Sequence, residues 1–219
     1  MAAVLADAQA LGFLGPGDVA DHIDHASAFF AALPAGARCG VDLGSGAGVP
    51  GLVLAANSPA MTWVLIDASE RRTEFLVDAV ERLGLADRVT VRRGRAEELG
   101  RDAALRADSD VVVARAFGPP AATAECGAAF LRVGGVLIVS EPPVVDEQRW
   151  PATGLALLGL RDEGLVVDGH ARVRVLRQVE GLPERYPRRV GVPSRRPMFP
   201  VKRPILDRAS RRGQDGSSE

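Results

Sequence analysis

The run Val41-Asp42-Leu43-Gly44-Ser45-Gly46-Ala47-Gly48-Val49-Pro50-Gly51 sets an acid two residues ahead of glycines spaced two apart. It lies between an apolar run and a helical pattern. Glycine reaches φ > 0 and carries no Cβ, so such a turn lets a ligand press against the main chain. Open α/β sheets hold nucleotide-like cofactors at a glycine-rich turn between a first strand and a first helix. Two cofactors compete for it. Gly46-x-Gly48-x-x-Gly51 satisfies the dinucleotide fingerprint, with Asp67 about where a ribose-binding acid is expected. Asp42 points the other way. An acid at the end of a first strand suits a ligand with a cationic amino group, as in S-adenosylmethionine, and would repel a pyrophosphate. Asp67 can accept from both ribose hydroxyls in either case. Gly94-Arg95-Ala96-Glu97-Glu98 adds backbone groups and a carboxylate that could address an adenine edge. A dehydrogenase normally needs a second domain for its substrate. The balance therefore lies with S-adenosylmethionine over NAD, and further still from glycines that merely make turns.

The elements that must position these residues alternate between strand and helix. Apolar positions at helical spacing occupy 2–11 and 18–32, broken by Gly15-Pro16-Gly17. Cys39 to Leu43 reads as a buried strand, followed by a helix from near Pro50, where a missing N–H costs nothing. Thr62 to Ile66 is a second strand ending on Asp67. Ser69 is placed to cap the next helix, whose stripe is Phe75, Leu76, Ala79, Val80 and Leu83 and whose stop is Gly84. Val89 to Val91, Asp110 to Ala114 and Val136 to Ser140 are further strands, with a crossover helix over Pro120 to Leu131. Leu160 to Val167 and Val173 to Val179 form a hairpin about Gly169-His170. The expected fold is α/β, with a mainly parallel sheet, helices on both faces and a C-terminal antiparallel hairpin. The expected divisions are a helical segment over 1–37, a cofactor-binding domain over 38–184 and a basic flexible tail over 185–219, without regular structure past Pro183.

The chain has 219 residues, 47% of them hydrophobic, enough for one domain with a core and too few for two. Its two cysteines, Cys39 and Cys126, give neither a disulfide framework nor metal-finger spacing. His22 and His25 stand one helical turn apart without further ligands nearby, which predicts a solvated helix face and no metal. No apolar run approaches the ~20 residues of a membrane span, and the start carries no basic leader, so a cytoplasmic protein and a monomer are expected. Charge is uneven. Residues 1–184 hold 17 Lys+Arg against 25 Asp+Glu (net −8), and residues 185–219 hold 10 against 3 (net +7), which sum to the overall −1. The tail has the charge of an arm for a polyanion, or of a solvated tail.

Four segments together carry a family resemblance. Val41 to Gly51, Leu65-Ile66-Asp67-Ala68-Ser69-x-x-Arg72-x-x-Phe75-Leu76, Gly94-Arg95-Ala96-Glu97 and Ala114-Arg115-Ala116-Phe117 resemble the bacterial small-subunit ribosomal RNA guanine-N7 methyltransferases of the glucose-inhibited-division-B type. Tyr186-Pro187-Arg188-Arg189-x-Gly191-x-Pro193-x-Arg195-x-Pro197 is similar to the basic tail of many members. The resemblance covers roughly residues 38–198. It implies a class I, Rossmann-like S-adenosylmethionine-dependent fold and a ribosomal RNA or small-subunit partner. It also implies cofactor contacts at Gly44, Val49, Ala96, Glu97 and Arg115, beside the Asp42, Gly46, Gly48 and Asp67 read from the loop. Ala96 and Glu97 could instead simply begin a helix, and Arg115 could be a structural ion pair. RNA contacts are expected from Arg115, Arg188, Arg189, Arg195 and Arg196, since arginine forks suit phosphates. Phe117, Tyr186 and Phe199 are read as packing rather than base-stacking platforms.

Guanine N7 carries a lone pair and no proton, so its methylation asks for placement and for no catalytic base; none is assigned. Two departures from the family stand out. The usual Asn-Leu-Thr and His-Leu-Leu-Asp-Ser segments before residue 38 are missing, with only a faint echo at Asp21 to His25. Ser140-Glu141-Pro142-Pro143 replaces the common Leu-Lys-Gly, exchanging a cation for an acid. Another RNA or a small molecule stays open as the acceptor, as does a non-catalytic binding module.

Overall fold

The computed structural model of the chain describes residues 1–199; the rest of the expected tail, 200–219, lies outside the described residues. Helices α1 (Ala2–Ala10), α2 (Val19–Asp24) and α3 (Ala26–Ala31) precede β1 (Cys39–Leu43). Then follow α4 (Gly51–Asn57), β2 (Thr62–Asp67), α5 (Glu70–Arg82), β3 (Val89–Arg93), α6 (Ala96–Leu99) and β4 (Ser109–Ala114). The chain continues through α7 (Pro120–Ala128), β5 (Leu131–Ser140), α8 (Ala152–Ala156), β6 (Leu160–Asp168), β7 (Ala171–Gln178) and α9 (Val192–Arg195).

The strands make one sheet in the order β3-β2-β1-β4-β5-β7-β6. The first five are parallel, and β7 runs antiparallel to both of its neighbours. The direction of winding reverses between β1 and β4, and ligands of open α/β sheets bind outside the carboxyl ends of the strands at such a switch point. Strand periodicity divides the core. Val111, Val113, Val136 and Ile138 face one layer with Phe29, Trp63 and Leu76; Val112, Ala114, Leu137 and Val139 face the other with Phe130, Leu155 and Leu176. Burial on both faces is why these strands read as unbroken apolar runs. Trp63 is seated over β1 because the facing residue is Gly40, where a Cβ would lie 2.6 Å from the indole ring.

Most expected elements stand with shifted ends. The helix expected over 18–32 is broken at His25, and the crossover helix stops at Ala128 because Leu131 already pairs with Ser109 in the sheet. On α5 the buried stripe is Thr73, Phe75, Leu76, Ala79 and Val80. Ser69 occupies the N-cap position, but its side chain makes no capping bond. The Asp67 carboxylate accepts the Ser69 N–H instead, at 2.8 Å.

The tail is the largest difference. Within the described residues it is neither a free arm nor without regular structure, since it contains α9 and packs on the domain. Tyr186 and Phe199 are buried in the core, as their reading as packing residues requires. Backbone carbonyls in a segment without a ladder still need donors. Two arginines between α6 and β4 supply them. Arg101 donates to the carbonyls of Arg185 and Pro187 at 3.2 and 2.6 Å, and Arg106 to that of Tyr186 at 2.9 Å. Arginine and proline content concealed this because every anchor is distant in sequence.

Candidate cofactor-binding site

The turn after β1 is built by glycines that no other residue could replace cheaply. Gly44, Gly46 and Gly48 have φ of +71°, +56° and +86°, a region that costs L side chains. A Cβ on Gly44 would lie 2.7 Å from the Phe117 ring, and one on Gly51 would lie 2.4 Å from Asp42 Oδ2. The Ser45 hydroxyl donates to the Asp42 carbonyl at 3.0 Å, and the Ser45 N–H to the Ile66 carbonyl at 2.8 Å. The loop is thus stitched to β2 as well as to β1.

Asp67 ends β2 and holds the loop from the other side. It is 6% exposed. Its Oδ2 accepts the Gly46 N–H at 3.0 Å while its Oδ1 takes the Ser69 N–H, and Arg72 stands 3.8 Å away. A carboxylate with four acceptor sites keeps capacity for a ligand after these bonds. It lines a narrow cleft together with Gly44, Gly94, Ala96, Glu97 and Phe117. Ala96 and Glu97 do begin a helix, α6, and they line the cleft as well; the two readings are compatible. A second hollow adjoins it, lined by Gly44, Ser45, Gly46, Val49, Arg72 and Arg115 and closed by the Phe13-Leu14-Gly15 turn. Gly44 lines both, and Phe117, packed against it, lines the first.

Asp42 is placed differently from the expectation. Its side chain lies beneath the loop, 1% exposed, with Oδ2 accepting the Gly51 N–H at 3.1 Å, and it lines neither hollow. Gly51 has no side chain to block that approach. Burial pushes the Asp42 carboxyl up to about 7; the nearby Asp67 adds to this, while the Gly51 bond and Arg115 oppose it. A carboxyl raised above its unfolded value stabilises the fold below the unfolded value and loses that contribution as pH climbs through the folded one. Asp42→Asn keeps an acceptor for Gly51 and cannot ionise. Its stability relative to the unaltered protein is expected to rise between pH 4 and 7 and then level off, by up to about 4 kcal/mol. Urea midpoints across that range check it, and a flat difference would refute it.

Arg115 follows β4 and is half-buried. Its Nη2 donates to His22 Nδ1 at 2.8 Å, while its buried Nη1 has no hydrogen-bond partner among the described residues. A guanidinium can only donate. His22 therefore accepts at Nδ1 and donates from Nε2 to the Gly15 carbonyl, 3.2 Å away. His22 is thus not a purely solvated face residue, as the sequence suggests, but ties the N-terminal helices to the site. His25 is held below its usual value by burial, then by Arg115 and His22. The next residue after Arg115, Ala116, has φ of +55° and lines the hollow beside it; a non-glycine residue held there is strained. Among the described residues no group of His, Cys, Asp and Glu could hold a metal ion.

The expected RNA-contacting arginines divide. Arg188 is committed to the domain: its Nε and Nη2 straddle the fully buried Glu125, at 2.9 and 2.6 Å, and its N–H donates to the same carboxylate at 2.7 Å. Arg189, Arg195 and Arg196 are exposed. Glu141, the acid singled out from the sequence as a departure, is buried as well. It takes the Trp150 indole N–H and pairs with Arg149 at 3.1 Å, so the exchange anchors the turn at 147–151.

The family described as rRNA small subunit methyltransferase G matches residues 19–142 of this chain. The ribosomal RNA small subunit methyltransferase G of Deinococcus radiodurans is 37% identical over 166 residues, 73% of this chain and 65% of that protein. Its counterpart in Leuconostoc citreum is 34% identical over 164 residues, 72% of this chain and 68% of that protein. The matches thus span about two thirds of those relatives. Among solved structures, cofactor-bound Rv0187 from MTB is similar in fold, with a TM-score of 0.60 at 20% identity over 82% of this chain and 89% of that one. The mitomycin 7-O-methyltransferase MmcR aligns with a TM-score of 0.55 at 19% identity, over 72% of this chain and 54% of that one. Among the described residues no helix is long and apolar enough to cross a membrane.

Proposed function

This chain belongs to the rRNA small subunit methyltransferase G family, and we propose that it transfers the methyl group of S-adenosylmethionine to N7 of a guanine in small-subunit ribosomal RNA. One observation carries the reading beyond the family. The glycine loop, Asp67, Ala96, Glu97 and Arg115 come from four separate strand ends and line two adjoining hollows. The donor set fits the cofactor. Asp67 offers acceptors for ribose hydroxyls, and the unpartnered Nη1 of Arg115 suits a carboxylate, the stronger kind of charge-assisted bond. The nicotinamide alternative loses its support, since the family is one of methyltransferases.

When bound, the cofactor supplies an electrophilic sulfonium methyl. The chain's own residues then have placement as their task, because N7 has no proton to remove. The loop from Gly44 to Ala47 gives main-chain contact while Gly48, which lines neither hollow, shapes the turn against Leu52; Asp67 fixes the ribose end and Arg115 the amino-acid end. Asp42 sets the loop from beneath. Arg189, Arg195 and Arg196 take phosphates, which position RNA without reading its sequence. Arg188 is left out of that set because Glu125 occupies it. A ribosomal RNA substrate puts the reaction in the cytoplasm.

The test is labelled methyl transfer to small subunits and to naked ribosomal RNA from a strain lacking the gene, with N7-methylguanine mapped. One guanine is expected to regain its methyl group. Tight S-adenosylhomocysteine binding with no RNA acceptor would move the assignment to a small-molecule methyltransferase. Replacing Arg189 and Arg196 together by Ala is expected to raise the KM for RNA and leave S-adenosylhomocysteine affinity within twofold. The slope of log affinity against log salt should shrink by about one for each phosphate deprived of its arginine. An unchanged salt slope would remove these arginines from the RNA path.

A further inference from the structure

Ser194 lines the same cleft as Asp67, Ala96 and Glu97, although it belongs to the segment beyond the last strand. We propose that residues 186–196 are a wall of the cofactor cleft, with Ser194 a cofactor-binding residue, and that this wall carries the exposed arginines. The proposal rests on the cleft being an S-adenosylmethionine site.

Three anchors make this segment a wall. At its start Tyr186 is buried and the Arg188 fork grips Glu125, a residue of α7. In its middle the Gly191 N–H donates to Glu97 Oε1 at 2.8 Å. Glu97 is 5% exposed and stands at the cleft, so the carboxylate that sequence offers to adenine is bonded to this segment. Gly191 turns the chain there with φ of +73°, a conformation that suits glycine. Beyond it Val192–Arg195 coil once over the buried Pro193, which brings Ser194 to the cleft. The Ser194 side chain makes no hydrogen bond within the described residues and is exposed at the rim, with a donor and acceptor to offer a nucleoside.

Arg189, Arg195 and Arg196 are exposed on the same segment. A ligand that touches the wall favours its docked form, and whatever favours the docked form favours the ligand in return. Cofactor in the cleft and arginines set for RNA then share one element.

The full chain tests this. Trypsin cuts after exposed Arg189 and Arg195, and saturating S-adenosylhomocysteine is expected to slow both cuts at least tenfold. Ser194→Trp, a bulky ring at an exposed position, is expected to weaken S-adenosylhomocysteine at least tenfold by calorimetry while the free protein keeps its melting temperature. If the unaltered chain binds S-adenosylhomocysteine but its cleavage rates stay the same, or Ser194→Trp binds as tightly, the wall is refuted. If the unaltered chain binds none, the reading of the cleft itself falls.

Discussion

Asp67→Ala is expected to weaken S-adenosylhomocysteine binding by on the order of 100-fold, and methyl transfer with it. A hydrogen bond to a charged acceptor contributes about 1.5–3 kcal/mol. Two ribose hydroxyls on one carboxylate therefore reach the ~2.7 kcal/mol that a 100-fold change represents. Part of the loss comes from the protein itself. Asp67 also holds the Gly46 N–H and the Ser69 N–H, so its removal loosens the glycine loop from β2 and leaves the Ser69 N–H ahead of α5 without that acceptor. Asp67→Asn retains an acceptor without the charge and should lie between the two. Calorimetric affinities for the three proteins decide it, and an Asp67→Ala protein within threefold of the unaltered one would remove Asp67 from the site.

Arg188→Ala should be the most destabilising arginine replacement in the C-terminal segment, by about 3–5 kcal/mol in urea unfolding. The reason is Glu125. Its side chain is fully buried and its partners are the guanidinium and N–H of Arg188. Removing one member of a buried pair leaves a desolvated charge, which costs more than the pair contributed. Arg188→Lys should rescue little, because an ammonium cannot reproduce the two-pronged bond. Changing both residues, Arg188→Met with Glu125→Leu, should cost much less than Arg188→Ala alone, since no charge is then stranded. If the double change proves as damaging as the single one, packing and not charge governs this pairing. By contrast Arg196→Ala, at an exposed position, should leave the urea midpoint within error.

How far the sequence reached depends on the range of the forces at each position. Val111 to Ala114 and Val136 to Ser140 are legible as strands because burial on both faces demands an unbroken apolar run. The Gly44-Gly46-Gly48 turn is legible because its backbone needs φ > 0, a demand written in residue type. Element ends were less so. Leu131 has the pattern of the helix before it, and its place in β5 is settled by a partner, Ser109, in another strand.

The amino-acid sequence alone determined the parallel sheet with its terminal hairpin, the glycine loop, the acid at the end of β2 and the family. The first three follow from local periodicity, backbone conformation or a motif within a short window, and the family from a resemblance carried jointly by several segments over roughly residues 38–198. Only the tertiary structure decided how the charged residues are used. Asp42 turned out to lie beneath the loop, His22 to meet Arg115, Glu97 to hold Gly191, and Glu125 to claim Arg188 out of a run of similar arginines. A charge can be satisfied by solvent, ligand or any opposite group the fold brings near. Its role is therefore set by neighbours distant in the chain, which spacing along the sequence does not encode.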